Sequence, residues 1–277
     1  MRPTTDWAGF WRELCQAQLR RHPNRANGED VWRDRARGLQ TRIEQRWIRP
    51  DSSRATVRAY LEATPGATLL DIGAGTGAWA AYLSPYASHI TAMDPSPAMV
   101  TVMRENLAAQ GVANVEIVQA SWPEAETPVH DFSLCGHAMY GSPDLPRFIR
   151  RIEQVTRRLC FLLVRAPASD GVMAEAALRV WGHPHDSPNF QVAYNVLLEM
   201  GIRANVLFED ADPWSPRRHA SLADALCEVK GRLLLDTGEH DSFLLDLLQR
   251  RLRHEDGELV WPRDMRSALV WWQSGER

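Results

Sequence analysis

Lysine is nearly missing from this chain of 277 residues: of its 32 basic residues only Lys230 is not arginine. GC-rich coding produces such a bias, and nothing functional is read from it. Cysteine is scarce too. Cys15, Cys135, Cys160 and Cys227 are scattered, with no CxxC pair and no metal-ligand spacing, which excludes a disulfide framework and a thiolate zinc site. Three of them fall within apolar stretches, the pattern of buried thiols in a reducing, cytoplasmic setting. Long hydrophobic runs are also lacking. The longest uncharged stretch lies between Asp71 and Asp94 and is interrupted by three glycines and Pro85, so no bilayer span is expected. The first residues meet Asp6, Arg12 and Glu13 too soon for a signal-peptide core.

What is present is ordinary globular material, 44% hydrophobic and 24% charged, with no repeat and enough length for one large domain or two small ones. The net charge of −3 hides an asymmetry. Residues 1–60 carry 13 arginines and 7 acids, a balance of +6, which leaves −9 for the remainder. Solvated helices partly paired with the acidic remainder account for that arm. An anionic partner is the sharper alternative.

Residues 1–65 read as helices. Asp6 caps one through Trp7, Trp11 and Leu14, Asp30 caps a second reaching Trp47, and Ser52 or Ser53 opens a third. The texture then changes. Short apolar runs at Thr68–Ile72, His89–Asp94, Val115–Gln119, Asp131–Cys135 and Leu159–Val164 alternate with helical patterns near 77–84, 97–110 and 144–157. Such alternation predicts a doubly wound, mostly parallel sheet covered on both faces, with ligands at the carboxyl ends of the strands. Beyond Pro167, helices are expected at Val172–Trp181 and Phe190–Met200, from Ser221 and over His240–Arg253. A strand is expected at Asn205–Glu209, and a final one at Ser267–Trp272.

The stretch Leu69-Leu70-Asp71-Ile72-Gly73-Ala74-Gly75-Thr76-Gly77 carries the chemistry. A strand enters a glycine turn and then a helix, whose free N–H groups and partial positive charge suit an anionic ligand group. Asp94, 21 residues after Gly73, ends the next strand, where a carboxylate can accept from two ribose hydroxyls. Nicotinamide dinucleotide and S-adenosylmethionine sites share this plan. Three details favour the second. Asp71 would suit an ammonium and repel a pyrophosphate, the spacing is G-x-G-x-G where dinucleotide sites use G-x-G-x-x-G, and the second strand leads into Asp94-Pro95-Ser96-Pro97-Ala98-Met99.

With LLDIGAGTGAWA (69–80), ITAMDPSPAMV (90–100), VEIVQASW (115–122) and HDFSLCGHAMYGSPDL (130–145) in this order, residues 66–166 resemble the small-molecule class I S-adenosylmethionine-dependent methyltransferases. The resemblance implies a Rossmann-like, seven-stranded sheet whose last strand is antiparallel. The strand–helix alternation and the terminal apolar run then predict residues 1–65 as a helical lid over the cofactor side and residues 66–277 as the cofactor-binding domain, with a helical insertion at about 211–256. The resemblance also implies that Asp71, Gly73, Ala74, Gly75 and Gly77 hold the methionyl part of S-adenosylmethionine and that Asp94, with Pro95 and Met99, holds the ribose side. Ala120, Ser121 and Trp122 would meet the adenine, and Gly136 and His137 would lie near the methyl group. Many relatives carry an acid after the third strand, where this chain has Ser121-Trp122, and a second histidine where it has Tyr140-Gly141.

His137 and Tyr140 are the candidate catalytic residues, and Arg165 a candidate for orienting the acceptor. His183, His185 and Asp186 surround Pro184 in a polar loop and read as loop residues, not metal ligands. Trp32, Trp47, Trp122, Trp181 and Trp214 lie outside the central strands. Any of them could offer an aromatic face to a sulfonium, although packing is the commoner role. Gly136-His137-Ala138-Met139 lacks the Pro-Pro-aromatic signature of amino-methylating nucleic-acid enzymes, so a small acceptor is expected, with the +6 arm leaning toward an anionic one, and nucleic acid is not. A nicotinamide-dependent oxidoreductase and a non-catalytic S-adenosylmethionine-binding protein are the alternatives.

Overall fold

The computed structural model describes residues 5–21, 30–209 and 216–275. Five apolar runs become parallel strands, β1 (Thr68–Ile72), β2 (His89–Met93), β3 (Val115–Val118), β4 (His130–Gly136) and β5 (Thr156–Pro167). β6 (Asn205–Phe208) lies at the far edge. Three short strands, β7 (Arg218–His219), β8 (Arg253–Glu255) and β9 (Glu258–Val260), form a separate small sheet. The last strand, β10 (Met265–Gln273), inserts antiparallel between β5 and β6. The main sheet therefore runs β3-β2-β1-β4-β5-β10-β6, the expected seven-stranded, mostly parallel arrangement.

The helices are α1 (Trp7–Arg20), α2 (Ala36–Trp47), α3 (Ser52–Glu62), α4 (Ala78–Leu83), α5 (Pro97–Ala109), α6 (Leu145–Gln154), α7 (Val172–Trp181), α8 (Phe190–Glu199), α9 (Leu222–Leu233) and α10 (Asp241–Arg251). Alternation along the strands divides the core. Leu70, Ile72, Cys135 and Leu162 face one side, covered by α1, α6 and α8; Leu69, Leu134 and Leu163 face the other, covered by α3, α4 and α5. α7, α9 and α10 share a third cluster with Leu259 and Trp261. Among the described residues no helix is long and apolar enough to cross a membrane.

Several helix ends follow local rules. Asp6 accepts from Gly9 N at 2.7 Å, Ser96 from Met99 N at 3.1 Å with Pro97 at the first helical position, and Ser221 from Asp224 N at 3.1 Å. Two differ from expectation. α2 begins at Ala36, and Asp30 serves two ends at once: it accepts from Trp32 N at 3.0 Å in the turn before α2, and binds Ser96 Oγ at 2.8 Å and Ala98 N at 3.1 Å at the start of α5. The local bond and a tertiary partner 66 residues away share one carboxylate. α3 is capped by Asp51, whose carboxylate reaches Arg54 N at 2.7 Å, and not by Ser52 or Ser53.

The N-terminal helices are bound to the sheet layers. Trp11 is fully buried and its indole N–H donates to Ser142 O at 2.8 Å, while Ala36 of α2 packs against Met99 and Val102 of α5. Trp11→Ala removes a buried aromatic and leaves that carbonyl only the weak Cys15 thiol donor at 3.5 Å. A loss of about 3–5 kcal/mol is expected, read from the midpoint of a urea transition. An unchanged midpoint would show that α1 does not dock in solution.

Candidate cofactor and acceptor site

β1 has β2 on one side and β4 on the other, so the connections leaving β1 and β4 diverge and open a crevice at their carboxyl ends. A cavity of about 1950 Å³ lies there. Pockets for small ligands are commonly about 300–1,000 Å³, so this one has room for a cofactor and an acceptor together.

The glycine turn forms its floor. Gly73 has φ +67°, and a Cβ there would come within 2.2 Å of the Ala138 Cβ. Gly75 has φ +57°, and nothing stands within 4 Å of an added Cβ, so its backbone faces open space. Gly77 serves another end. A Cβ there would meet Met103 Cγ at 2.6 Å, and the residue lies behind the loop, against α5, off the cavity wall.

The two acids are buried beside the turn. Each Asp94 oxygen takes one backbone donor, Gly75 N to Oδ2 at 2.9 Å and Ser96 N to Oδ1 at 2.9 Å, which leaves a lone pair on each for a diol. Asp71 is 1% exposed and its Oδ2 has no hydrogen-bond partner among the described residues. Burial, reinforced by Asp94, pushes its pKa up to about 7. An orphaned carboxylate oxygen on the cavity wall beside an open glycine turn fits a ligand with an ammonium and a ribose, the groups that S-adenosylmethionine presents.

A pH dependence follows. Between the unfolded value of 3.8 and about 7 the folded chain keeps a proton that the unfolded chain has lost. This carboxyl therefore adds stability that is fully present below the unfolded value and is lost as pH rises through the folded one. An ammonium docked beside Asp71 favours the carboxylate. Binding of S-adenosylhomocysteine should therefore release protons and tighten between roughly pH 5.5 and 7.5. Calorimetry in two buffers of different ionisation enthalpy checks this, and Asp71→Asn should abolish the buffer dependence. Equal enthalpies for the native chain would mean that Asp71 does not face the ammonium.

Pro95, Met99, Ser121, Trp122 and Gly136 also line the cavity, as do His137 and Tyr140. Of the proposed aromatic faces, Trp32, Trp47 and Trp122 reach it; Trp181 packs against His183 instead, and Trp214 lies outside the described residues. Trp79, which carried no signal in the sequence beyond its place in α4, stands on the wall edge-to-face with Trp47, ring centroids 5.4 Å apart.

His137 directly follows β4 with φ 59°, an unusual conformation for a non-glycine residue. Tyr140 Oη accepts from Arg165 N at 2.7 Å and shares a hydrogen bond with His137 Nδ1 at 2.8 Å, while His137 Nε2 shares one with Ser267 Oγ at 3.1 Å. Burial, then Arg46 and Arg165, hold the imidazole pKa well below its ordinary value, so the ring is neutral. Both ring nitrogens are engaged. A proton-accepting step at His137 would have to break one of these bonds.

The loop histidines have structural partners. Phe10 packs edge-on against His183 and His185, Asn189 donates to His185 Nδ1 at 3.2 Å, and Asp186 accepts from Arg232 Nε at 2.9 Å. No group of side chains able to hold a metal occurs among the described residues.

Comparison with known proteins agrees with this geometry. Residues 69–158 match the family model described as a methyltransferase domain. No curated protein matches the chain. Among solved structures, the YcgJ protein of Bacillus subtilis is 16% identical, with 81% of this chain and 99% of that one covered and a TM-score of 0.53. A candidate methyltransferase from Bacillus halodurans is 16% identical, with 80% and 98% covered and a TM-score of 0.51. At such identities the likeness shows the Rossmann-like methyltransferase fold. Residues 69–158, which hold the glycine turn, Asp71 and Asp94, thus match a methyltransferase domain within that fold.

Proposed function

We propose that the protein transfers the methyl group of S-adenosylmethionine to a small anionic acceptor held beneath the helices of residues 1–65. One observation carries this reading. Arg21 at the end of α1, Arg46 on α2 and Arg165 on β5 converge on the wall that holds His137. The Nε–H groups of Arg21 and Arg165 are buried with no acceptor among the described residues. Burial, with Arg232 and Arg165 against it and Asp186 in its favour, lowers the Arg21 pKa to about 10. Buried guanidinium donors of this kind suit a carboxylate or phosphate.

The sulfonium carbon of the cofactor is already activated. The chain's task is to hold the attacking atom in line with the departing sulfur and to exclude water. In this reading Asp71 and Asp94 hold the cofactor, the Tyr140–His137–Ser267 row shapes the wall beside the acceptor, and the arginines orient the acceptor's anion. The setting proposed is the cytoplasm, which accords with four cysteines that are all free thiols, three of them buried.

The test is S-adenosylhomocysteine release on a panel of carboxylate and phosphate metabolites paired with neutral analogues. Turnover is expected for anions, with Arg165→Ala raising KM more than tenfold and changing kcat less. Preferred turnover of neutral compounds would overturn the anionic acceptor. Tight cofactor binding with no turnover across the panel would favour a non-catalytic protein.

A further inference from the structure

Glu209 follows β6, and the sequence marked it only as a strand end. Its side chain is 1% exposed, yet it lines the acceptor half of the cavity. Its N–H donates to Ser267 O at 3.0 Å, which ties it to β10. Arg46 Nη2 stands 3.6 Å from Oε2, beyond hydrogen-bond distance, and Oε2 has no donor among the described residues. Burial raises this carboxyl above its ordinary range, with Arg46 opposing, Asp51 adding, and the neighbouring Ser53 and Ser267 hydroxyls opposing. The Arg46 ion pair and the two serine hydroxyls offset part of the cost of burying this carboxyl at the cavity wall, and a donor on a molecule in the cavity would add the hydrogen bond still missing from its inventory.

Its place in the sheet says what kind of molecule that is. Arg165 on β5 lies directly opposite Ser267 on β10, and Ser267 bonds the backbone of Glu209 on the other side. The three residues form a row across neighbouring strands. At about 4.8 Å per strand, the backbones of Arg165 and Glu209 are about 10 Å apart, a span that a single metabolite bridges. One end presents guanidinium donors, the other a carboxylate acceptor.

We infer that the acceptor carries two recognised groups: an anion for the arginines and a hydroxyl or amine that donates to the Glu209 carboxylate. It belongs to the hydroxy-acid or amino-acid class. The inference rests on the anionic-acceptor reading and narrows it.

The experiment is calorimetry on the full chain saturated with S-adenosylhomocysteine. The probes are benzoate against 3- and 4-hydroxybenzoate, and 3-phenylpropionate against phenylalanine. At least one donor-bearing probe is expected to bind about tenfold or more tightly than its donor-free partner. In Glu209→Gln that ratio should fall to about threefold or less, while donor-free anions bind no more weakly. If paired probes bind the native chain alike, water or nothing satisfies Glu209 and the inference is overturned, whether or not the variant folds. A preference that persists in Glu209→Gln also overturns it. If no anion binds while S-adenosylhomocysteine does, the anionic-acceptor reading itself fails.

Discussion

Asp94→Ala should weaken S-adenosylhomocysteine binding by about 30- to 1000-fold, the equivalent of about 2–4 kcal/mol. Two terms add. The ribose diol loses a carboxylate acceptor, and the Gly75 and Ser96 N–H groups lose the anchor that holds the glycine turn against the start of α5. Asp94→Asn separates them. Its single amide oxygen can keep one backbone donor while its NH₂ opposes the others, so its affinity should fall between alanine and the native residue. The fold should survive, because Asp94 sits at a strand end and its neighbours Met93 and Val100 stay packed. Titration calorimetry with a melting curve on the same sample reads both quantities. Native-like affinity in a folded Asp94→Ala chain would mean that the ribose is held elsewhere.

Gly73→Ala should be the more damaging change to the protein as a whole. The backbone there is left-handed, which costs any residue with a Cβ about 1–2 kcal/mol. The added methyl would also sit 2.2 Å from the Ala138 Cβ, a contact that only movement of the β1 or β4 loop relieves, at about 1–3 kcal/mol more. The sum, about 2–5 kcal/mol, corresponds to a fall in Tm of roughly 4–20 °C for a chain of this size. Moving that loop also moves Gly75 and the wall at His137, so cofactor binding should be lost even below the new Tm. Gly75→Ala is the control. It carries a similar backbone cost but meets no atom within 4 Å, so it should destabilise less and act mainly on the ligand. Equal Tm losses for the two would show that the Ala138 contact relaxes freely.

The sequence by itself determined the parts whose causes are local. Apolar runs of strand length between amphipathic stretches specify β1 to β5, because burial on both faces demands side chains of one kind along a whole strand. Ser96-Pro97 specifies the start of α5 through one hydroxyl and one fixed φ. The glycines after β1, with Asp71 and Asp94, mark the cofactor side, since only a Cβ-free turn admits a ligand that close to backbone. β7, β8 and β9 escaped notice because two or three residues are too few to show a period.

Only the tertiary structure decided the side proposed for the acceptor. Arg21, Arg46 and Glu209 are separated by up to 188 positions, and each looks like an ordinary polar residue at the end or face of an element; Arg165 alone carries a signal, its place near a strand end. Nothing local distinguishes Arg46 from Arg42 on the same helix, or Glu209 from any acid after a strand. Their convergence depends on β10 inserting between β5 and β6, and on α1 and α2 closing over the carboxyl edge of the sheet. The same holds for Asp30, which keeps a local bond to Trp32 N but also ties Ser96 and Ala98 of a distant segment. Periodicity and capping are interactions between near neighbours and leave their mark in the sequence. Charge convergence is set by packing between distant segments, and its geometry exists only once the chain has folded.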